Sequence, residues 1–198
     1  MNHPLQCRCG RLKGFVSDPE RVNRAVCYCR DCQAFAHFLG RADDILDSQG
    51  GTDVIQTLPA RVTFTEGRET LACMRLTKNG LIRWYTACCN TPVGNTLPNF
   101  RMSFIGLIHR CLESSGGALD RSFGPVRMRV NTKSAKAEVK SNSAKATWGI
   151  LRVLAMVARA RIDGSYKRTA FFSVDSGAPI ASPRVLSQGE RASLLDAV

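Results

Sequence analysis

The chain has 198 residues, of which 44% are hydrophobic and 22% charged, and its formal net charge is +12. This composition is ordinary for a soluble globular protein, and the length predicts one domain whose core needs no disulfides. The longest apolar run, GILRVLAMVA, is short and contains Arg152, which excludes a transmembrane helix. The N-terminal residues MNHPLQCRCG contain no apolar stretch of the signal-peptide kind, so we expect a protein of the reducing cytoplasm.

The positive charge is concentrated in the C-terminal part of the chain. Residues 1–120 contain 14 Lys and Arg against 11 Asp and Glu, whereas residues 121–198 contain 14 against 5. This asymmetry favours a polyanion or a membrane surface as partner of the second part, although a solvated basic face gives the same charge count. We therefore divide the chain into a first domain, residues 1–120, and a basic extension, residues 121–198.

Most of the first part is predicted to form strands. In chain order, strands are expected in DVIQTL, which ends before Pro59, and in RVTFTE, where apolar and polar residues alternate. TLACMRL and GLIRWY flank the dipeptide Asn79-Gly80, which is a strong hairpin signal. Between the first cysteines and these strands, QAFAHFLG is typical of a short helix that ends at Gly40.

Helices are predicted towards the end of the chain. FIGLIHRCL has apolar residues at helical spacing, which predicts a helix over residues 104–112. A Lys-, Ser- and Ala-rich segment follows, read as a basic linker or an extended wrap around the core. An amphipathic helix is expected near residues 147–162, and Ser187 with Glu190 forms the capping-box pattern of a short terminal helix. The apolar stripe of the amphipathic helix comprises Trp148, Leu151, Ala155, Ala158 and Ile162.

Nine cysteines, an odd number in a chain without an export signal, indicate metal ligands or free thiols. Thiolates are preferred zinc ligands, and closely spaced pairs reduce the entropy cost of assembling a site. The grouped cysteines predict one or two zinc ions, and Gly10 permits a tight turn after the first pair. The groups are Cys7 with Cys9; Cys27, Cys29 and Cys32; and Cys88 with Cys89.

The group of three leaves two arrangements open. A structural zinc site normally has four protein ligands, so another side chain such as His37 could complete the site. Alternatively, the fourth position is open to water or to an incoming thiol. Asp31 and His37 are candidates for a general base by proximity alone.

The spacing of the cysteines resembles that of a known family. C-x-C-G near the start, C-x-C-x-x-C further on and a late aromatic–cysteine–Thr-Pro segment resemble the glutathione-dependent formaldehyde-activating (Gfa-like) enzymes, which include the centromere protein V type. The resemblance covers roughly residues 5–110 and implies a mainly β, tent-like fold built around zinc. It also implies a structural zinc on Cys7, Cys9 and a late pair, and a second zinc on the group of three, where a thiol such as glutathione approaches.

The late motif departs from the pattern of that family, which is aromatic-C-x-x-C-G-[ST]-P. This chain reads YTACCNTP from Tyr85, so Cys89 matches the second cysteine and Thr86 stands in place of the first. A neutral hydroxyl is a poor zinc ligand. Either the site has only three thiolates or Cys88 acts as the substitute ligand, and we expect the second arrangement.

Two functions follow as expectations. The first is a zinc-dependent carbon–sulfur lyase or thiol-adduct enzyme, which acts on a small-molecule thiol of the glutathione kind and a small electrophile. The alternative is a non-catalytic, zinc-stabilised binding module whose basic C-terminal segment contacts an anionic membrane, nucleic acid or a protein partner. The amphipathic helix could also pack on the core of the chain or on a second copy, so a homo-oligomer is open. The expected fold is a mainly β, zinc-binding tent with short helices and a helical, basic C-terminal extension.

Overall fold

The computed structural model describes residues 1–113, 119–141 and 143–198. The strands are β1 (Asn2–Gln6), β2 (Lys13–Ser17), β3 (Asn23–Cys27), β4 (Thr52–Thr57), β5 (Val62–Glu66), β6 (Leu71–Arg75), β7 (Ile82–Thr86), β8 (Pro92–Thr96), β9 (Ile105–Ile108), β10 (Met128–Val130) and β11 (Arg184–Val185). The helices are α1 (Arg30–Phe38), α2 (Ala42–Ile45), α3 (Arg110–Glu113), α4 (Leu119–Phe123), α5 (Ser143–Ile162) and α6 (Gln188–Asp196). The mainly β class with short helices is thus confirmed.

The strands form two sheets. The smaller sheet has the order β1-β2-β5, and the larger one has the order β10-β3-β4-β9-β8-β7-β6-β11. Neighbouring strands are antiparallel except at the two edges of the larger sheet, where β10 pairs with β3 and β11 pairs with β6 in parallel. Both edge strands come from residues 121–198, so this part of the chain extends the sheet that the first 120 residues build.

The larger sheet is covered on both faces. Leu107 belongs to a hydrophobic cluster that also contains Leu5, from the smaller sheet, and Trp84. The next residue of β9, Ile108, points the opposite way and joins a second cluster with Phe35 of α1. The sheet is therefore the central layer, with the smaller sheet on one face and α1 on the other.

The hairpin predicted at Asn79-Gly80 is confirmed, because β6 and β7 pair antiparallel on either side of it. The strands predicted in DVIQTL and RVTFTE correspond to β4 and β5, and the helix predicted before Gly40 is α1. Gly40 has φ +65°, the left-handed conformation that glycine adopts readily after a helix. The capping box of Ser187 and Glu190 is also present at the start of α6.

The helix predicted over residues 104–112 is wrong. This segment forms strand β9 and then the short helix α3. All four residues of β9 are buried because both faces of the sheet are covered. A short, continuous apolar run of this kind fits a strand buried on both sides as well as a buried helix, so periodicity cannot separate the two.

The amphipathic helix predicted near 147–162 is confirmed as α5, but its apolar stripe faces outward. Trp148 is 70% exposed and Ile162 is 87% exposed. The opposite face lies on β10 and β3, where Gly149 allows close approach: a Cβ there would lie 2.6 Å from Met128 Sδ. Although α5 is the longest described helix, no helix within the described ranges combines the length and apolarity needed to cross a bilayer.

Candidate metal centres

The first cysteine group joins the turns of the two sheets. Cys7 and Cys9 lie in the turn between β1 and β2, which Gly10 closes with φ +77°. Cys88 and Cys89 lie in the turn between β7 and β8. The four sulfurs all lie within 4.8 Å of one another.

The spacing of these sulfurs fits a tetrahedral zinc ion. Cys9 Sγ lies 3.3 Å from Cys88 Sγ, Cys7 Sγ lies 3.5 Å from Cys9 Sγ, and Cys88 Sγ lies 3.8 Å from Cys89 Sγ. Zinc–sulfur bonds of about 2.3 Å place the sulfurs of a tetrahedral site about 3.8 Å apart. The backbone N–H of Leu12 also donates to Cys7 Sγ at 3.2 Å, which stabilises a thiolate. The group could hold a metal ion with a complete set of four ligands.

Thr86 supports this group without belonging to it. It is fully buried, and its Oγ1 accepts a hydrogen bond from the N–H of Thr91 at 3.2 Å. The same oxygen lies 3.3 Å from Cys89 Sγ. Cys88, which follows two residues later, places its sulfur among the other three. Cys88 thus belongs to the group that could hold a metal ion, and Thr86 contributes a hydrogen-bonding hydroxyl beside it.

The thiols of Cys7, Cys88 and Cys89 differ in acidity. Burial raises the pKa of the Cys7 thiol, and burial together with a hydrogen bond to Cys9 raises the pKa of Cys88 to about 12. Burial acts the same way on Cys89, but hydrogen bonds from the hydroxyls of Thr86 and Thr91 outweigh it and lower the pKa of Cys89 to about 5. A metal ion has to displace the remaining thiol protons, so binding at this group releases protons.

The second cysteine group lies where β3 passes into α1. Cys27 is the last residue of β3, Cys29 is the N-cap of α1, and Cys32 is in the first turn of that helix. Cys27 Sγ lies 3.4 Å from Cys29 Sγ and 3.8 Å from Cys32 Sγ. These distances also fit a tetrahedral zinc ion. In the described part of the chain, no His, Asp, Glu or further Cys joins these three residues within 4.8 Å.

His37 therefore lies outside this group. Its Nε2 is buried and has no hydrogen-bond partner among the described residues. Asp31, the other base candidate, has a half-exposed carboxylate whose Oδ2 lies 3.8 Å from Arg83 Nη2.

Two polar side chains from distant parts of the chain contact the second group, and sequence reasoning missed both. The side chain of Arg83 is 3% exposed, and its Nη1 lies 3.9 Å from Cys32 Sγ. Asn131 Nδ2 donates to Cys27 Sγ at 3.4 Å, from a residue with φ +57°. Arg83 lies within the apolar strand β7, and an arginine in such a strand is the signal that could have marked it.

The thiols of the second group share their protons unequally. Hydrogen bonds from the thiols of Cys29 and Cys32 lower the pKa of Cys27 to about 2. The same interactions raise the pKa of Cys29 and of Cys32. A divalent cation bound here would favour the thiolate form of all three cysteines.

Helix α1 connects the two cysteine groups. Cys29 is its N-cap and Cys32 lies in its first turn, while its C-terminal end contacts the turn that carries Cys88 and Cys89. Asn90 Nδ2 donates to the carbonyl oxygen of Leu39 at 3.3 Å, and Arg41 Nη1 donates to Thr91 Oγ1 at 3.2 Å. The position of α1 is therefore fixed at both ends by residues next to a candidate metal centre.

Comparison with known proteins gives a family but no activity. A family model described as a family of unknown function, DUF6151, matches residues 1–182. No curated protein matches the chain. Among solved structures, the chain is similar to a Rhodobacter sphaeroides protein from a structural-genomics programme, with 17% identity and a TM-score of 0.39, over 62% of this chain and 96% of that one.

Proposed function

The chain belongs to the DUF6151 family of unknown function, and we propose from its own side chains that it is a zinc-dependent thiol-adduct enzyme. Its substrates would be a small-molecule thiol of the glutathione kind and a small electrophile such as an aldehyde. The thiol sulfur adds to the carbonyl carbon, a carbon–sulfur bond forms, and the thiol proton ends on the carbonyl oxygen. In the reverse direction the same enzyme is a carbon–sulfur lyase.

One observation carries this proposal, namely the difference between the two cysteine groups. The first group offers four sulfurs and the second offers three. Four protein ligands are typical of a structural zinc site, whereas three protein ligands and one exchangeable position are typical of a catalytic site. We therefore assign the structural role to the group with Cys88 and the catalytic role to the group with Cys29.

The residues around the second group suit an anionic sulfur ligand. A zinc ion held there would act as a Lewis acid and lower the pKa of a thiol in the fourth position. Three thiolates and a divalent cation leave one negative charge, and the buried guanidinium of Arg83 compensates it. Asn131 donates to Cys27 and so reduces the basicity of that ligand.

The sequence resemblance to Gfa-like enzymes supports the same assignment, because the group of three matches their second zinc site. We extend the proposal to the β-tent form of the fold, to zinc as the metal and to the reducing cytoplasm, where nine free cysteines stay reduced. The altered late motif, with Thr86 in place of the first cysteine and Cys88 as the substitute ligand, marks a divergent branch.

Cobalt substitution tests the proposal directly. Thiolate-bound cobalt absorbs in the visible range, and its spectrum changes when a further sulfur enters the coordination shell. We expect glutathione to shift the spectrum of the cobalt-loaded protein. The group of four is the internal reference, because its cobalt has no free position. In the Cys29→Ser variant this glutathione-dependent change should be absent.

A rate measurement complements the binding test. Nuclear magnetic resonance exchange between glutathione, formaldehyde and their adduct should be faster with the zinc-loaded protein, and Cys29→Ser should lose about tenfold or more of that gain. If cobalt shows no response to glutathione short of metal loss, the site is closed and the enzyme proposal fails. The zinc-stabilised binding module is then the remaining function.

A further inference from the structure

Helix α5 exposes an apolar face. At 100° per residue, its outward arc carries aliphatic residues and one indole, interrupted by Thr147 and Arg161, and runs along most of the 20-residue helix. Their exposed fractions are Trp148 70%, Ile150 49%, Leu151 52%, Leu154 57% and Ile162 87%. A helix that buries only one stripe normally presents polar residues on the other side. An apolar outward face of this extent indicates a partner that removes it from water.

A cluster of arginines borders this face. A cavity of about 240 Å³ lies between α5 and the segments before β3 and β5, and Arg21, Arg61, Arg152 and Arg159 line it. Arg61 has two acidic neighbours: Asp18, whose Oδ2 lies 3.7 Å from Arg61 Nε, and Glu20. Within the described ranges, the side chains of Arg152 and Arg159 take part in no ion pair or hydrogen bond of their own. The cavity thus holds more positive charge than the protein itself neutralises.

The arginines affect one another. Burial lowers the pKa of Arg61, and the nearby charges of Arg21 and Arg152 lower it further against the opposing effects of Asp18 and Glu20. Burial also lowers the pKa of Arg152, together with the charge of Arg127. Grouping guanidinium ions in this way is unfavourable without an anion, and a phosphate group binds guanidinium through paired hydrogen bonds.

We propose that α5 docks on an anionic phospholipid surface, with its apolar face in the acyl–headgroup boundary and lipid phosphates in the arginine cavity. This inference is independent of the proposed chemistry at the cysteine groups. A 20-residue helix is about 30 Å long and lies in the plane of such a surface. Trp148 suits this depth because its ring has an apolar body and a polar N–H.

Charge and apolarity favour an anionic lipid surface over a second copy of the chain or nucleic acid as the partner of α5. The sequence of α5 contains no Asp or Glu, so a symmetric contact with a second copy would bring its arginines towards each other. Nucleic acid offers phosphates but no apolar layer to cover Leu154 and Ile162. An anionic lipid surface offers both, so it fits the two observations together.

Vesicle sedimentation provides the first test. The full-length, zinc-loaded protein should sediment with phosphatidylcholine vesicles that contain phosphatidylserine, and should bind pure phosphatidylcholine vesicles at least about tenfold more weakly. Arg152→Gln and Arg159→Gln should each weaken binding about fivefold, since each removes one positive charge near the surface. Leu154→Ser should weaken it about tenfold through the apolar face. Arg101→Gln and Val174→Ser, which change exposed residues elsewhere, are the matched controls.

Tryptophan fluorescence provides the second test and does not depend on sedimentation. The chain has two tryptophans, and Trp84 is fully buried whereas Trp148 is exposed. Anionic vesicles should shift the emission of Trp148 to shorter wavelength, and Trp148→Phe should abolish the shift while the emission of Trp84 stays constant. Salt should reverse the shift, because arginine–phosphate attraction is screened.

Three results would overturn the proposal. Equal binding to neutral and anionic vesicles would remove the role of the arginines. No binding to either, with no shift of Trp148 emission, would remove the membrane. A dimer that Leu154→Ser dissociates, or tighter binding to DNA than to vesicles, would assign the face to a second copy or to nucleic acid.

Discussion

Cys88 and Thr86 have different roles next to the same candidate ion, and this difference is testable. We expect Cys88→Ser to lose one zinc ion per chain, because its sulfur lies 3.3 Å from that of Cys9 and completes the set of four. Thr86→Ala should keep the ion and lower the free energy of unfolding by about 1–2 kcal/mol through the lost hydrogen bond to Thr91. Metal analysis and chemical denaturation measure the two effects.

Thr86→Ser is the matched control, because it keeps the hydroxyl and should keep both metal and most of the stability. If Thr86→Ala loses zinc while Cys88→Ser retains it, our alignment of this turn with the four-ligand site is wrong.

His3 makes stability depend on pH, although its position next to the N-terminus suggests a frayed end. Its ring is buried, packs 4.5 Å from the ring of Phe123, and its Nε2–H donates to the carbonyl of Leu112 at 3.1 Å. Burial lowers the pKa of His3 below 6.5, and the hydrogen bond to Leu112 opposes this only in part. Between the lowered pKa of the folded state and the ordinary value of 6.5, His3 is therefore protonated in the unfolded chain and neutral in the folded chain.

Because the folded state has the lower pKa, His3 makes the protein less stable as the pH falls. The contribution of His3 is complete above about pH 6.5 and is lost as the pH falls through that value towards the lowered pKa of the folded state. We expect His3→Gln to flatten the fall in stability between about pH 8 and pH 5.5, as measured by denaturation at each pH. Loss of zinc at low pH affects both proteins alike, so an unchanged slope in the variant would contradict this role of His3.

The candidate ligands could be predicted from the sequence, whereas their surroundings could not. Within each segment the cysteines stand one to three residues apart, so short-range spacing brings their sulfurs together, whereas the two pairs of the first group meet across 79 residues. Arg83 and Asn131 reach Cys32 and Cys27 from 51 and 104 residues away along the chain. Such contacts depend on the pairing of β10 with β3 and on the position of β7 in the sheet, which no local pattern encodes.

At the scale of the elements, the small sheet depends on a close contact at Gly14. A Cβ at this position in β2 would lie 2.1 Å from the carbonyl oxygen of Thr63 in β5. We expect Gly14→Ala to destabilise the protein by about 2 kcal/mol or more, because backbone atoms would have to move apart. Thermal or chemical unfolding measures the loss.

Gly189 in α6 is the matched control. Nothing lies within 4 Å of a Cβ added there, and alanine favours the helical conformation. Gly189→Ala should therefore stabilise by up to about 0.5–1 kcal/mol, the opposite sign to Gly14→Ala. If both substitutions were neutral, the result would contradict the close packing of β2 against β5 at Gly14.

Elements that depend on neighbouring residues could be predicted from the sequence, whereas elements that depend on distant packing could not. The hairpin at Asn79-Gly80 and the capping box at Ser187 depend on neighbouring residues, and both are present. The strand β9 and the outward face of α5 depend on what covers them. Periodicity identified α5 from residue 147 onward and one of its apolar stripes, but it missed the first turn. It also could not show that the face with Gly149 packs on the sheet, because glycine carries no hydrophobic signal.

At the scale of the whole molecule, the C-terminal segment completes the core of the N-terminal one. Phe171 is fully buried, and its ring centroid lies 5.2 Å from that of Trp84 and 5.4 Å from that of Phe64. We expect a fragment of residues 1–120 to lose cooperative unfolding, since it lacks this ring and the edge strands β10 and β11. Denaturation monitored by Trp84 emission measures this.

A fragment of residues 1–186 is the matched control. This fragment lacks α6, which lies beyond the residues that the family model matches. It keeps the ring of Phe171 and all eleven described strands. This fragment should unfold cooperatively with reduced stability, because Leu194 and Leu195 no longer pack on the second cluster. A cooperatively folded 1–120 fragment would show instead that the first 120 residues form a domain of their own.

The two candidate metal centres should differ in how their loss affects the molecule. The group of four ties the turn after β1 to the turn between β7 and β8, so an ion there links the two sheets. The group of three lies within one stretch of chain, from Cys27 to Cys32, and links no distant elements. Because the free energy of metal binding at a structural site is also free energy of folding, only the first ion should be required for the fold.

Titration of the zinc-loaded protein with a chelator should therefore proceed in two steps. The ion of the group of three, with fewer protein ligands, should leave first with the far-ultraviolet circular dichroism unchanged. The ion of the group of four should leave at higher chelator concentration, together with cooperative unfolding. Cys29→Ser should lack the first step and keep the second, whereas Cys88→Ser should unfold early. Release of both ions in a single step with unfolding would contradict the separation of a structural from an exchangeable centre, because the group of three would then also support the fold.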